Sequence, residues 1–129
     1  MDASIQPKTV LIVDDDFMTR DLLRLMLRRI NITIMEAVDG LDALEKIRHQ
    51  RPDLVLLDAM MPHMDGFTVC KLLRNQPKTA DLPVIMLTTR ADQRAIQRGL
   101  QSEVTHYMIK PILPTDLLNV VQQTLEGVA

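Results

Sequence analysis

Short apolar segments alternate along the chain with longer segments in which apolar residues recur every three or four positions. The short segments consist largely of β-branched or other apolar residues and predict buried strands, whereas the longer spacing predicts helices that bury one face. The predicted strands are Lys8–Val13, Ile32–Ala37, Asp53–Asp58, Leu82–Thr88 and Thr105–Ile109. The pattern therefore predicts five strand–helix units in succession.

Each predicted helix has an apolar face that we expect to be buried. The faces consist of Leu22, Leu23, Met26, Leu27 and Ile30; Leu41, Leu44 and Ile47; Phe67, Cys70 and Leu73; Ala95, Ile96 and Leu100; and Leu117, Leu118, Val121 and Leu125. The second helix should end before Pro52, and Asp65 is a suitable N-cap for the third. Thr115 or Asp116 should cap the fifth.

Strict alternation of strands and helices indicates an α/β fold, a five-stranded parallel sheet with right-handed crossovers and helices on both faces. The apolar run Val84–Leu87 is typical of a strand that is buried on both sides. The 129 residues are the usual length of one domain, so we predict a single domain over 1–129 with a core of about 8–126. Ligands of such folds bind beyond the carboxyl ends of the strands.

Composition excludes several classes of function. The four glycines are too dispersed for a phosphate-cradling loop, and the one cysteine, Cys70, excludes an intrachain disulfide and zinc sites built from cysteine pairs. A net charge of −2 without a basic tract predicts no direct nucleic-acid binding. No apolar run reaches the length of a membrane span and no signal peptide is evident, so we predict a cytoplasmic protein that does not bind membranes.

Polar residues stand at the ends of four predicted strands. Asp14, Asp15 and Asp58 would bring three negative charges to one crevice, where Lys110 and the hydroxyl of Thr88 would join them. The remaining negative charge favours a divalent cation with oxygen ligands. A site with only a small number of carboxylates favours Mg²⁺ over Ca²⁺, because Ca²⁺ takes more ligands. Such a pocket could bind a phosphoryl group, and a carboxylate can itself be the nucleophile. Taken singly, each of these residues could instead be a helix cap, a turn residue or a solvated strand end.

From Thr9 to about Leu125 the chain resembles the receiver domains of two-component response regulators. The residues that carry the resemblance are the acidic pair Asp14 and Asp15, the phospho-acceptor Asp58, the hydroxyl residue Thr88, the switch aromatic Tyr107 and Lys110, which precedes Pro111. The resemblance implies a flavodoxin-like, CheY-like (βα)5 fold with strand order 2-1-3-4-5. Asp16 fits better as a neighbour or cap than as a ligand.

The resemblance also implies a mechanism. Asp58 would take a phosphoryl group from a phosphohistidine on a histidine kinase or a histidine phosphotransfer protein, and Lys110 and Thr88 would contact the phosphoryl oxygens. The expected cofactor is Mg²⁺, held by Asp15, Asp58 and the backbone carbonyl of Met60, with Asp14 acting through water. The domain would catalyse only its own phosphorylation and dephosphorylation and would not be an enzyme in any other sense.

The resemblance further implies a switch at Thr88 and Tyr107 that alters the surface of helix 4, strand 5 and helix 5. This surface would contact a downstream effector protein or domain. Arg94 and Arg98 on helix 4 are candidate partner contacts, and Arg90 could lie against the phosphoryl oxygens. Helix 5 contains no lysine or arginine, which argues against dimerisation through basic residues and favours a monomer or weak dimer.

Two alternatives remain open. The receiver could be excised from a hybrid histidine kinase or a multidomain effector. Asp14-x-Asp16 after an apolar strand also resembles the haloacid-dehalogenase phosphatases, although Phe17 follows where a small or hydroxyl residue is usual. Departures from the receiver pattern lie at Thr89, at Glu103–His106 and at Ile112, none of which is a phosphorylation residue.

Overall fold

The computed structural model describes residues 6–127, and five strands alternate with five helices along them. The elements are β1 (Lys8–Val13), α1 (Phe17–Leu27), β2 (Ile32–Ala37), α2 (Gly40–His49), β3 (Leu54–Asp58), α3 (Gly66–Arg74), β4 (Val84–Thr88), α4 (Gln93–Gln101), β5 (His106–Ile109) and α5 (Pro114–Leu125). The strands form one parallel sheet in the order β2-β1-β3-β4-β5. The predicted fold class and strand order are therefore confirmed.

Helices cover both faces of the sheet because successive side chains of a strand point to opposite faces. Val10 and Ile12 of β1 pack with the buried residues of α1 and α5. Leu11 and Val13 pack with those of α2, α3 and α4 on the other face. The central strands β3 and β4 are buried along their whole length, as their continuous apolar sequences predict.

Aspartates begin four of the five helices. Asp16, Asp39, Asp65 and Asp92 are the N-caps of α1 to α4, and each carboxylate accepts a backbone N–H from the first turn. The predicted cap at Asp65 is confirmed. For α5 the prediction of Thr115 or Asp116 is wrong, because the helix begins earlier with a proline in its first turn and Leu113 at the cap position.

Some predicted core positions are exposed. Leu22 is 53% exposed because Arg20, Leu23 and Leu27, spaced three and four residues apart, form the buried face of α1. Three further leucine and isoleucine residues of the predicted faces are also exposed, namely Leu41, Ile96 and Leu100. Ile30 lies beyond the end of α1. Apolar side chains outnumber the positions that one helix face can bury, so some of them remain on the surface.

Three strands begin later than predicted. Asp53 precedes β3; its N–H donates to the carbonyl of Thr9 at 2.8 Å, and its carboxylate accepts the N–H of Thr9 at 2.7 Å. Leu82 and Pro83 precede β4, and Thr105 precedes β5. Proline has no N–H to donate to a strand partner, which accounts for the late start of β4. Within residues 6–127, the helices are too short or too polar to cross a bilayer.

Candidate functional site

The parallel sheet brings Asp14, Asp15 and Asp58 together at the carboxyl ends of β1 and β3. One carboxylate oxygen from each of the three lies within 4.8 Å of the others. Asp14 and Asp58 are buried, with exposed fractions of 3% and 7%, whereas Asp15 is exposed. Two of the three carboxylates are therefore held in a partly desolvated crevice with one open side.

Lys110 extends into this crevice from the end of β5. Its Nζ lies 3.4 Å from Oδ1 of Asp58 and 3.6 Å from Oδ2 of Asp14. The backbone N–H of Lys110 donates a 2.8 Å hydrogen bond to the carbonyl of Thr88, and the Lys110–Pro111 peptide is cis. The ammonium group is thus placed between the two buried carboxylates by the register of β5 against β4.

Burial and like-charge repulsion determine the acidity of the pair. Burial raises the pKa of Asp14 above its ordinary value; the hydrogen bond from the N–H of Asp16 and the charge of Lys110 oppose the rise, and the charge of Asp15 adds to it. Burial also raises the pKa of Asp58, followed by repulsion from Asp14, while Lys110 acts in the opposite direction. One lysine leaves a net negative charge among three carboxylates, so the cluster favours a further cation.

The donor set fits Mg²⁺. Carboxylate oxygens at this mutual distance are the ligands that Mg²⁺ prefers, and it needs only one or two of them when water and phosphate oxygens complete the shell. The backbone N–H of Met60 donates to Oδ1 of Asp58 at 3.4 Å, and the residue is 52% exposed. Met60 is thus next to the carboxylate, and its role as a carbonyl ligand stays a prediction.

Asp16 has a different task from its two neighbours. Its carboxylate accepts the N–H of Met18 at 3.2 Å and the hydroxyl of Thr19 at 2.7 Å, which lowers its pKa, the Thr19 hydroxyl contributing most. These contacts cap α1. The expectation that Asp16 is a cap and not a ligand agrees with this geometry.

Thr88 and Tyr107 lie on adjoining strands beside the crevice. Thr88 ends β4 and is buried, and its hydroxyl accepts the N–H of Arg90 at 3.1 Å. Tyr107 is half-buried on β5, and its hydroxyl donates to the carbonyl of Arg90 at 2.7 Å. Arg90 therefore links the two predicted switch residues through its backbone.

The arginines of the β4–α4 region are largely paired within the chain. The guanidinium of Arg90 forms hydrogen bonds of 3.0 and 2.8 Å with Asp92, instead of extending toward Asp58 as the sequence suggested. Arg98 pairs with Asp65 at 3.1 Å and lies 4.6 Å from the ring centroid of Phe67. The arginine surface expected around α4 is thus reduced, because Arg90 in the preceding loop and Arg98 in the helix already have acidic partners, which leaves Arg94.

Sequence reasoning missed Arg20. This buried side chain donates a 2.8 Å hydrogen bond to the carbonyl of Asp14 and a 2.9 Å bond to Glu36, which also accepts from Arg24. Glu36 has a lowered pKa as a result, with Arg24 the largest contributor. The available signal was the position of Arg20, three residues before Leu23 and therefore on the buried face of α1.

Comparisons with known proteins agree with this site. Residues 10–122 match the family model for the response regulator receiver domain. Over 104 residues the chain is 40% identical to the transcriptional regulatory protein AfsQ1 of Streptomyces coelicolor, covering 81% of the chain and 45% of that protein. It is 37% identical over 116 residues to the DNA-binding dual master transcriptional regulator RpaA of a Synechocystis species, covering 90% and 48%. The chain therefore spans about half the length of these curated relatives.

Solved structures show the same fold over nearly the whole chain. A putative response regulator from Chloroflexus aurantiacus superposes with a TM-score of 0.89 at 36% identity, covering 94% of this chain and 99% of that one. The chemotaxis protein CheY4 of Vibrio cholerae gives a TM-score of 0.86 at 32% identity, covering 92% and 99%. These matches do not favour the haloacid-dehalogenase alternative. With the family matched over 113 positions from 10 to 122, the chain belongs to the response regulator receiver domain family.

Proposed function

We propose that this chain is a phospho-accepting receiver in which Asp58 is the residue that is phosphorylated. The observation that carries the proposal is the position of Asp58, buried at the end of β3 with Asp14, Asp15 and Lys110 around its carboxylate. A carboxylate oxygen of Asp58 attacks the phosphorus of a phosphohistidine. The new O–P bond forms as the P–N bond breaks, and the imidazole nitrogen keeps the electron pair of that bond.

The surrounding side chains position and neutralise charge, which is the main task in phosphoryl transfer. The ammonium of Lys110, already within 3.4 Å of Asp58, contacts one phosphoryl oxygen. The hydroxyl of Thr88 leaves its present hydrogen bond with the N–H of Arg90 and binds a second phosphoryl oxygen. Asp14, Asp15, Asp58 and the carbonyl of Met60 would hold Mg²⁺. When bound, the ion supplies positive charge beside the transferring phosphoryl group.

The phosphodonor, a histidine kinase or a histidine phosphotransfer protein, needs a surface next to the crevice. Met18, Leu22 and Leu25 are exposed at spacings of four and three residues along α1, which begins directly after the aspartates. An exposed apolar stripe of this kind is typical of a protein interface. We assign it to the phosphodonor, so Leu22, predicted to be in the core, serves binding instead.

Output in this proposal passes through Thr88 and Tyr107 to the surface of α4, β5 and α5, and from there to a downstream effector protein or domain. Within that surface Arg94 forms no ion pair with any residue from 6 to 127, so it is the arginine that remains for partner contact. We further propose a single receiver domain in the cytoplasm, a monomer or weak dimer that does not itself contact nucleic acid. In a longer regulator, DNA binding would belong to another domain.

Labelling with a small phosphodonor tests the proposal. The chain is incubated with acetyl phosphate and Mg²⁺, with and without EDTA, and the fraction that gains one phosphoryl group is measured by intact mass. Asp58→Asn and chelation should each abolish labelling, while Asp21→Asn, on the exposed face of α1, should label normally. Undiminished labelling of Asp58→Asn would contradict the proposal. If EDTA abolished labelling but Asp58→Asn did not, the metal would be required and the phospho-acceptor would be a residue other than Asp58.

A further inference from the structure

A groove of about 570 Å³ lies between the C-terminal halves of α2 and α3. Because the sheet is parallel, this end of the two helices is at the edge opposite the aspartates, far from the proposed phosphorylation site. Its apolar walls include Leu44 and Ile47 from α2 and Leu72 and Leu73 from α3. Leu72 is 37% exposed, so part of the apolar lining is open to solvent.

The rim of the groove is mainly basic. Arg48, Arg51 and Lys78 line it, and Glu45 is its one acidic residue among those described. The carboxylate of Glu45 lies 3.8 Å from the imidazole of His49. Within residues 6–127, neither Arg48 nor Lys78 has an ion-pair partner. The three basic residues outnumber Glu45, so the rim carries a net positive charge.

Hydrogen bonds fix the wall of the groove that is formed by the segments after α2 and α3. The guanidinium of Arg51 donates to the carbonyl of Lys78 at 3.0 Å and pairs with Asp81 at 3.1 Å. The hydroxyl of Thr79 donates to the carbonyl of Leu73 at 2.6 Å. These contacts tie the segment after α3 to the segment after α2. The groove is thus preformed, which lowers the entropic cost of binding.

We propose that this groove docks an acidic amphipathic helix of a partner protein. Two helices that follow successive strands of a parallel sheet run in the same direction, so the furrow between them accommodates a third helix along its length. Leucine or other large aliphatic side chains at positions i, i+3, i+4 and i+7 of the partner helix would contact Leu44 and Leu72. Carboxylates beside them on the partner helix would face Arg48 and Lys78. The surface is separate from Asp58 and from α4, β5 and α5, so this partner binds whether or not the chain is phosphorylated.

Two synthetic peptides of about four turns test this proposal. Both carry leucines at helical spacing, one with glutamates and the other with lysines at the flanking positions, and each is titrated into ¹⁵N-labelled protein. The acidic peptide should shift the backbone resonances of Arg48, Leu72, Gln76 and Thr79, and the basic peptide should not. Equal binding of both peptides, or shifts confined to another surface, would overturn the proposal, as would no binding at millimolar peptide.

Variants locate the site and exclude other occupants. Leu72→Ser and the double variant Arg48→Glu, Lys78→Glu should each weaken acidic-peptide binding by at least about tenfold. The first removes apolar contact with the peptide leucines, and the second places like charges across the interface, which repel. Leu113→Ser and Arg28→Glu, at exposed positions elsewhere, are the matched controls and should bind as the unaltered chain does. Unchanged affinity in the groove variants contradicts the proposal. Concentration-dependent shifts of groove residues without peptide would also contradict it, because the occupant would then be a second copy of the chain.

Discussion

The hydroxyl of Tyr107 donates a 2.7 Å hydrogen bond to the backbone carbonyl of Arg90, and so ties β5 to the loop between β4 and α4. The N–H of the same residue, Arg90, is bound by the hydroxyl of Thr88. If that hydroxyl moves to a phosphoryl oxygen, the backbone of Arg90 loses one of these two hydrogen bonds. The hydrogen bond from the Tyr107 hydroxyl to the Arg90 carbonyl can then break, and the tyrosine ring can move to a different environment.

Tyrosine fluorescence tests this coupling, because the chain contains one tyrosine and no tryptophan. Phosphorylation by acetyl phosphate should change the emission of Tyr107. In Thr88→Ala the chain should still be phosphorylated on Asp58, but the emission should remain that of the unphosphorylated protein. A full emission change in Thr88→Ala would show that Tyr107 responds independently of the threonine hydroxyl.

Stability should respond to the charge of the acidic pair. A carboxyl whose pKa is raised on folding stabilises the native state below its unfolded pKa, and this stability is lost as the pH rises through the folded value. Asp14 and Asp58 both have raised pKa values, so at pH 7 their charges oppose folding. Asp58→Asn should therefore raise Tm by about 3–5 °C, equivalent to roughly 1 kcal/mol in a chain of this size.

The pH dependence and a control identify the cause. The advantage of Asp58→Asn should shrink as the pH falls through the raised pKa of Asp58 toward its ordinary value of 3.8. Mg²⁺ should raise Tm of the unaltered chain at pH 7 more than that of the variant. Asp21→Asn, at an exposed aspartate of α1, should change Tm little. A Tm gain that persists unchanged at low pH would rule out charge repulsion as its source.

Arg20 should be important for stability, whereas its neighbour Arg24 should not. Arg20→Met leaves the carbonyl of Asp14 without its buried donor, which should cost about 1–3 kcal/mol of unfolding free energy. Arg24→Met removes a more exposed partner of the same Glu36 and should cost less than about 1 kcal/mol. Urea denaturation measures both. Equal losses would mean that the contact with Glu36, and not the one with Asp14, determines the effect.

The sequence predicted the fold and the convergence of charges well because both depend on short-range patterns. Apolar periodicity located all ten elements, and the strand ends placed Asp14, Asp58 and Lys110 at one edge once the strands were parallel. Leu22 was misplaced because periodicity does not say which of two apolar stripes a helix buries. The position of Arg98 depends on Asp65, more than thirty positions away, and local sequence patterns do not reveal such a pair.

The lifetime of the phosphoryl group should depend on Met60. Met60 is exposed and follows Asp58 by two residues, and its thioether is a poor hydrogen-bonding partner for an attacking water. Met60→Asn should accelerate loss of the phosphoryl group by up to about tenfold, the effect of one added hydrogen bond on the barrier. Decay is followed by intact mass after removal of acetyl phosphate. Met18→Asn, on the exposed face of α1, is the matched control and should decay at the rate of the unaltered chain.

Mapping the phosphorylated residue tests the central claim most directly. The chain is phosphorylated with acetyl phosphate and Mg²⁺, the acyl phosphate is reduced with borohydride to homoserine, and the modified position is located by peptide mass spectrometry. We predict homoserine at position 58 alone, with Asp14 and Asp15 unmodified, and none when EDTA is present during labelling. Homoserine at position 14 or 15, or at any aspartate outside the crevice, would contradict the assignment of Asp58 as the phospho-acceptor.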